Sequence, residues 1–404
     1  MSRGPLIALL SANALSLCGS AMSVLAVPWF VLQTTGSAAK TGLVAGVEMA
    51  GTAAAALLGA PLVDRLGRRV SSALSDLCGA AAVGAIPLLW ATVGLPFGVL
   101  LLLTALVGLL TSPGTMARAS MMPALVARAG IPAERGAGAY DGASRGARML
   151  GAPLAGVLIA GFGPGAVLII DATTFVLSAV LVAALVPSSP GGRAATGYLH
   201  RLRGGLDYLR DDRLMRAILW LLVLLNLLDA AWMSVLLPVY AQQVFDSSVA
   251  LGLMLGFFAA GGLAGTVAFA WIGARLPRRQ TFLLAFLISG APRFAVLAVQ
   301  TSLATHLVVL TLCGVAVGAL NPILSVTQYE RVPDEMRPMA IGVLNAGALG
   351  GIPAGALLGG LAVETVGAYS TAAAIGVLYL VITAIPFVLP VWRGLDRAAV
   401  PASA

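Results

Sequence analysis

Charge is scarce in this chain: only 10% of its 404 residues are Asp, Glu, Lys or Arg, and Lys40 is its one lysine. A soluble domain carries about 25% charged residues, so this surface is not that of a water-soluble protein. The shortage of lysine also excludes a primary ATP pump. A phosphate-binding loop reads G-x-x-x-x-G-K-[ST], and Lys40 follows Ala39. Cysteine is scarce too: Cys18, Cys78 and Cys313 all fall in apolar runs without metal spacing, and they read as small buried residues. The two histidines, His200 and His306, fall in a loop and at the edge of a run, where neither makes a proton relay. With no nucleophile–base pair or ligand cluster, the chain is expected to be no enzyme and to hold no metal or cofactor.

Apolar residues make up 59% of the chain, and the mean hydropathy is +0.97. Crossing a bilayer takes about 20 apolar residues. The chain divides into twelve such runs: 5–33, 42–62, 70–93, 97–116, 137–161, 165–187, 215–242, 249–273, 281–300, 304–326, 340–362 and 368–391. All should be helices, because lipid offers no partner to an unpaired backbone amide. The expected fold is an all-α membrane protein, with twelve transmembrane helices in two pseudo-symmetric six-helix bundles, 1–187 and 215–404. Of 24 Lys and Arg, 20 lie at the termini or in even-numbered connections; Arg145, Arg148 and Arg293 lie inside runs, and only Lys40 is in an odd-numbered connection. The positive-inside rule therefore places both termini in the cytoplasm of a multi-pass plasma (inner) membrane protein. This asymmetry explains the +8 net charge, and no nucleic-acid partner is needed. Leu15-Ser16-Leu17-Cys18 superficially suggests a lipoprotein cleavage site, but the large Leu17 and the continuing apolar run favour a retained helix.

The stretch from Ala21 to Arg69 recurs without a gap as Ala231 to Arg279, with 15 identities in 49 positions. About five would arise by chance. Pro28 returns as Pro238, Ser37 as Ser247, Gly42 as Gly252, Gly46 as Gly256, and Arg65-Leu66-Gly67-Arg68-Arg69 as Arg275-Leu276-Pro277-Arg278-Arg279. A second echo relates Gly151 and Pro153 to Gly351 and Pro353. In an apolar chain such a repeat points to two membrane halves that move against each other. The small residues around Pro153 and Pro353 allow close helix approach, read either as tight packing or as a gate. Residues 188–214 form the linker, and Tyr198–Arg210 has the 3–4 apolar spacing of an amphipathic surface helix.

After the second run the sequence reads Ala60-Pro61-Leu62-Val63-Asp64-Arg65-Leu66-Gly67-Arg68-Arg69. This resembles the major facilitator superfamily signature G-x-L-a-D-R-x-G-R-[RK], with Ala60 in place of the usual glycine. Met121–Val126, Gly151–Leu158, Asp171–Ser178, Gly204–Arg210 and Val332-Pro333 further resemble the drug-exporter branch that includes macrolide efflux proteins and the enterobactin exporter. The helix 5 antiporter signature, Gly-Pro followed by Gly-Gly, is matched only in part by Gly151-Ala152-Pro153 and Gly156. Gly67 suits a tight turn, and Asp64 can latch the cytoplasmic side by pairing with an arginine or with a helix N-terminus of the other half. The second copy has Ala274 and Pro277 at the Asp64 and Gly67 positions, so the latch is one-sided.

Ionisable residues inside spans are expensive, and are functional candidates by default. Glu48, Asp229, Arg145 and Arg148 are not repeated between the halves. The resemblance places Asp229 and Asn226 on a cavity-lining helix. Asp229 and Glu48 are then candidates for proton coupling or cation recognition, and for Asp229 a structural bond to Asn13 or Asn226 is the plain alternative. Asp141 and Arg145 are spaced for an i,i+4 ion pair near the cytoplasmic gate, with Arg148 one turn on. Arg293 lies on a helix the resemblance makes peripheral, which favours a packing partner, and Asp76 and Asp171 cap or pair near span ends. Trp232 and Met233 line either a greasy pocket or the lipid face.

The leading expectation is a monomeric secondary transporter that exports amphipathic small molecules in exchange for protons by rocking its halves. The alternatives are an importer or lysophospholipid flippase of the same fold, or a non-transporting receptor. Few polar residues are expected along the cavity helices, which disfavours sugars.

Overall fold

The computed structural model describes residues 3–188, 206–333 and 336–396, and among these the regular structure is entirely helical. The helices are α1 (Gly4–Thr35), α2 (Ala38–Leu66), α3 (Arg68–Thr92), α4 (Phe97–Ala129), α5 (Ala133–Leu185), α6 (Arg213–Phe245), α7 (Ser248–Ile272), α8 (Arg278–Leu297), α9 (Leu303–Val317), α10 (Leu320–Arg331), α11 (Arg337–Leu349), α12 (Gly351–Val366) and α13 (Ala368–Val388). Ten helices among the described residues are long and apolar enough to cross a membrane. One of these, α5, has 53 residues and turns at Gly163 (φ 80°, ψ 163°), so it supplies two crossings. At 1.5 Å per residue its length is roughly 80 Å, more than twice a bilayer core. With that second crossing and α2, the twelve expected spans are present. Two others are each broken in the middle, between α9 and α10 and at Gly350 between α11 and α12.

The fourth span departs most from expectation. It does not end at 116 but runs on through Pro123 to Ala129, where Gly130 (φ 68°) turns left-handed and its amide bonds the Ala127 and Val126 carbonyls. Arg118, counted above with the basic connections, therefore lies inside a helix. The linker helix expected over Tyr198–Arg210 falls largely outside the described residues. Its end, 206–211, is helical, Leu209 is buried, and Tyr208 Oη donates to the Arg331 carbonyl at 3.0 Å. Next to it Asp212 caps α6 and accepts from Arg331 Nε at 2.6 Å. Partial burial alone would raise the Asp212 carboxyl, but Arg331 and the two capping amides outweigh it and hold it below the usual carboxylate range.

In the first half α1 packs on α5, α2 on α4, and α3 on both α4 and α5; in the second, α7 packs on α9, α6 on α12, and α8 on α9 and α13. The repeat is visible down to single bonds. Gly36 and Asp246 both adopt positive φ, and the following Ser37 and Ser247 cap α2 and α7 by accepting from the amides of Lys40 and Ala250, each at 3.2 Å.

The halves meet through α2 against α12 and α5 against α7. A Cβ at Gly252 would lie 2.8 Å from the Ala152 carbonyl oxygen and 3.1 Å from the Gly156 Cα; one at Gly42 would lie 2.9 Å from the Gly360 Cα. One turn on, a Cβ at Gly256 would meet the Pro153 ring at 2.5 Å, and one at Gly46 the Pro353 carbonyl oxygen at 2.9 Å. Ser248 Oγ donates to the Gly156 carbonyl at 3.0 Å, and Glu364 of α12 accepts from Ser37 Oγ and the Ala39 amide, each at 3.2 Å. This side is closed. Toward the opposite side, which carries residues 4 and 388, Gly138, Gly142, Gly146 and Gly342 would each meet nothing within 4 Å. The halves splay apart there.

Gly252→Val should therefore wedge the closed side open. In a chain whose native cysteines are replaced, Ser248→Cys should resist a membrane-impermeant maleimide and become several-fold more reactive when Gly252→Val is added. Equal labelling would show that the glycine contact is not what closes this side.

Candidate functional site

Between the halves lies a chamber of about 410 Å³ with two unlike walls. The first half contributes the hydroxyls of Ser16, Ser20, Ser23, Thr52, Thr111, Ser112 and Thr115 together with Glu48, Asp171 and Arg148. The second half contributes Trp232, Met233, Leu255, Phe258 and Ala259. The polar wall is richer than the sequence suggested. Most of its hydroxyls are inconspicuous because they bond a carbonyl of their own helix: Thr52 to Glu48 at 3.1 Å, Thr111 to Val107 at 2.7 Å, Ser20 to Ser16 at 2.9 Å. Such back-bonding lets a hydroxyl sit in an apolar helix at little cost, with its lone pairs still facing the chamber.

Glu48 is half-buried on α2, and its carboxylate has no hydrogen bond or ion pair among the described residues. Across the chamber stands Phe258, the residue that the repeat aligns with it. Asp171 is 1% exposed and accepts from Ser23 Oγ and from Thr174 Oγ1 (3.3 Å), so it neither caps a helix nor pairs with a cation. Its carboxylate and Thr174 fill the space in front of Gly19, where any side chain would collide with them.

Behind this wall is a buried network that the sequence did not reveal. Arg118 and Asp76 are both fully buried and form an ion pair at 2.7 Å. The guanidinium also donates to Ser16 Oγ (3.0 Å), Asn13 Oδ1 (3.3 Å) and Ser72 Oγ (3.4 Å), while Ser178 donates to Asp76 at 2.6 Å. Tyr140 Oη donates to Asn13 Oδ1 at 3.3 Å, and Asn13 Nδ2 to Ser144 Oγ at 2.9 Å. The network thus ties α1, α3, α4 and both parts of α5 together, and Ser16 carries it to the chamber. Asp76 does pair near its span end. The signal for Arg118 was available: the helical pattern continues past it to the stop at Gly130.

In the second half Asp229 pairs with neither Asn13 nor Asn226. Arg293 Nη2 donates to its Oδ1, so the packing partner expected for Arg293 is an acid on a cavity helix. The Arg293 side chain is 4% exposed and that of Asp229 39%. Asn226 turns away from the substrate position assigned to it: its Nδ2 donates at 2.8 Å to the Ala348 carbonyl, left free by the break before α12. Trp232 and Met233 do face the chamber, and Trp232 opens a π-helical turn, a feature frequent at functional sites.

The gate residues are placed as follows. Gly67 (φ 81°, ψ 145°) adopts a backbone that suits glycine and caps α3. Arg68 donates to the Ser120 carbonyl at 3.2 Å and Arg69 to that of Ala183, while Asp64 and Arg65 make no ion pair among the described residues. The expected pair of Asp141 and Arg145 is not formed. Both lie on the exposed face of α5 toward the splayed side, where water solvates each charge and pairing gains little. Arg148, one turn on, reaches the chamber wall. Pro153 and Pro353 sit in the contacts between halves.

A twelve-span helical fold around a two-walled chamber defines a class of membrane transporters, and comparison with known proteins agrees. The Major Facilitator Superfamily model matches residues 9–262 and 219–403, and the chain belongs to that superfamily. It is 32% identical over 404 residues to the multidrug efflux pump Tap of Mycobacterium bovis (strain BCG / Pasteur 1173P2), covering 98% of this chain and 96% of that one. Identity to Tap of Mycolicibacterium fortuitum is 28% over 409 residues, covering 99% of each chain. Among solved structures, the nucleoside transporter NupG superposes with a TM-score of 0.78 at 15% identity, covering 95% of this chain and 98% of that one. A bacterial homologue of the human lysosomal transporter Spinster gives a TM-score of 0.71 at 16% identity, covering 98% of each.

Removing one partner of a buried ion pair leaves an uncompensated charge and costs about 3–5 kcal/mol. Arg118→Met should thus lower the melting temperature of the purified protein far more than Arg118→Met combined with Asp76→Asn. Thermal unfolding followed by size-exclusion chromatography checks this, and equal losses would show that the pair carries no coupling.

Proposed function

We propose that this chain is a proton-coupled exporter of amphipathic cations, set in the plasma membrane with both termini cytoplasmic. The observation that carries this reading is the chamber's division into an acidic, hydroxyl-bearing wall and an aromatic–thioether wall. A molecule with a flat apolar body and a cationic group satisfies both at once: its rings pack on Trp232, Phe258 and Met233 and its charge meets Glu48 and Asp171. The similarity to the multidrug efflux pump Tap supports efflux, and the placement of most arginines on the splayed side supports that side as cytoplasmic.

Residues 1–187 and 215–404 rock about the glycine contacts as two bundles, with 188–214 as the tether. Glu48 is the coupling acid, with Asp171 beside it. A proton and a substrate cation compete for the same carboxylate, so loading one releases the other, and alternating access converts that competition into exchange. Asp64 and the arginine turn latch the cytoplasmic side only when it closes, which accords with Asp64 standing unpaired here. Asp229, neutralised by Arg293 in the other half, leaves Glu48 and Asp171 as the acids that meet the substrate's charge. The protein works as a monomer.

The test is efflux of a cationic dye from proteoliposomes under an imposed pH gradient. Glu48→Gln should abolish gradient-driven transport, lowering its rate at least about tenfold, while dye still binds through the aromatic wall. Transport by the wild type that ignores the gradient, or by Glu48→Gln at the wild-type rate, would overturn proton coupling at this acid.

A further inference from the structure

We propose that Arg293 is a specificity-determining residue: it is a built-in counter-cation that occupies Asp229, so that only one wall of the chamber offers an acid and the chamber selects monocations over dications. This rests on the reading that the chamber binds amphipathic cations.

Asp229 lies three and four residues before Trp232 and Met233, one turn along the same face of α6, and 39% of its side chain stays accessible. A free carboxylate there would stand one turn from the lining residues Trp232 and Met233, in the half opposite Glu48 and Asp171. It is not free. Arg293 reaches it from α8, behind the wall, and a guanidinium stays charged at any working pH, so the neutralisation is permanent. Four rings hold the guanidinium in place: its carbon is 4.9 Å from the centre of Trp232, 5.2 Å from Phe294, 5.4 Å from Tyr379 and 5.8 Å from Phe258. Two of these rings, Trp232 and Phe258, are also chamber lining. The rings offered to a substrate's cation are thus already served by a cation on their hidden side, which further steers the substrate charge to the other wall. Among the described residues Arg293 Nε has no hydrogen-bond partner, so rings rather than a saturated polar shell hold the guanidinium.

Ethidium and propidium share one phenanthridinium body, and propidium's longer N-alkyl chain adds a quaternary ammonium, so the change in their affinity ratio between variants reads charge. Binding to the purified full-length protein is followed by fluorescence polarisation. The wild type should bind ethidium at least tenfold more tightly than propidium. Arg293→Leu, which frees Asp229, should shift that ratio at least tenfold toward propidium. Arg293→Leu combined with Asp229→Asn should restore the wild-type ratio, and Arg293→Lys should keep it. If Arg293→Leu does not accumulate, Asp229→Asn gives the opposite arm, because the unpaired Arg293 should weaken ethidium binding about tenfold. A merely structural pair would change melting temperature but leave the ratio fixed in every variant, and that result overturns the inference. Should the wild type bind neither dye, the cation-binding reading itself falls; should it bind ethidium through Glu48 with a ratio indifferent to Arg293 and Asp229, only the specificity role falls.

Discussion

The contact between glycine and proline across the two halves is the constraint on which this structure depends. Gly46 meets Pro353, Gly256 meets Pro153, and one turn earlier Gly42 and Gly252 lie against α12 and α5. Both pairs are the same contact, because the repeat relates Gly46 to Gly256 and Pro153 to Pro353. Backbones that touch without side chains between them can pivot with no ridges to disengage. At Gly256 the bearing surface is the rigid Pro153 ring, and at Gly46 it is the backbone carbonyl of Pro353, neither of them a flexible side chain. The chamber exists because the halves are pinned on one side by these four helices and are free on the other. Its position follows, since Glu48 lies two residues beyond Gly46, and Ala152 adjoins Pro153.

Symmetry in the backbone is combined with asymmetry in the chemistry. The repeat aligns Asp229 with Gly19, which reads as an acid in one half and none in the other. The space says otherwise. Gly19 has no side chain because the carboxylate of Asp171, from the following part of α5, fills the place. Each half therefore sets one carboxylate near the same point of its first helix, from different elements and with different partners: hydroxyls for Asp171, a guanidinium for Asp229. The outcome is one wall with available negative charge and one without.

This explains how much the sequence made legible. Hydropathy, the basic asymmetry and the repeat were enough for twelve helices, two halves and the close approach of small residues around Pro153 and Pro353, because those features are local or periodic. Partnerships across helices were not legible. Arg293 lies 64 residues from Asp229, and Arg118 lies 42 from Asp76. Nothing in a linear pattern states which faces of those helices meet. Arg118 was hidden for a second reason: hydropathy falls around it because it is charged, so a helix that encloses it looked like a helix that ends before it. Asn226 failed in the opposite way, since a polar residue on a cavity helix can as well repair the backbone of a neighbour, here the break at Gly350.

The two buried ion pairs show how the halves divide their labour. Both place an arginine and an aspartate where lipid-facing bundles avoid charge, and both are expensive to desolvate. Arg118 meets that cost with four acceptors, two from α1 and two from α3, within a network that extends to both parts of α5, so any change in one bond disturbs the rest. Such a network suits a body that must move without deforming. Arg293 has a single acid and four rings, and among the described residues its Nε has no hydrogen-bond partner. Rings attract a cation without a full set of hydrogen bonds, so this guanidinium stays charged beside Asp229 and keeps that acid neutralised. A transporter of this design needs both: one pair that keeps the first half rigid as the chamber opens, and one that keeps the second wall without a free acid.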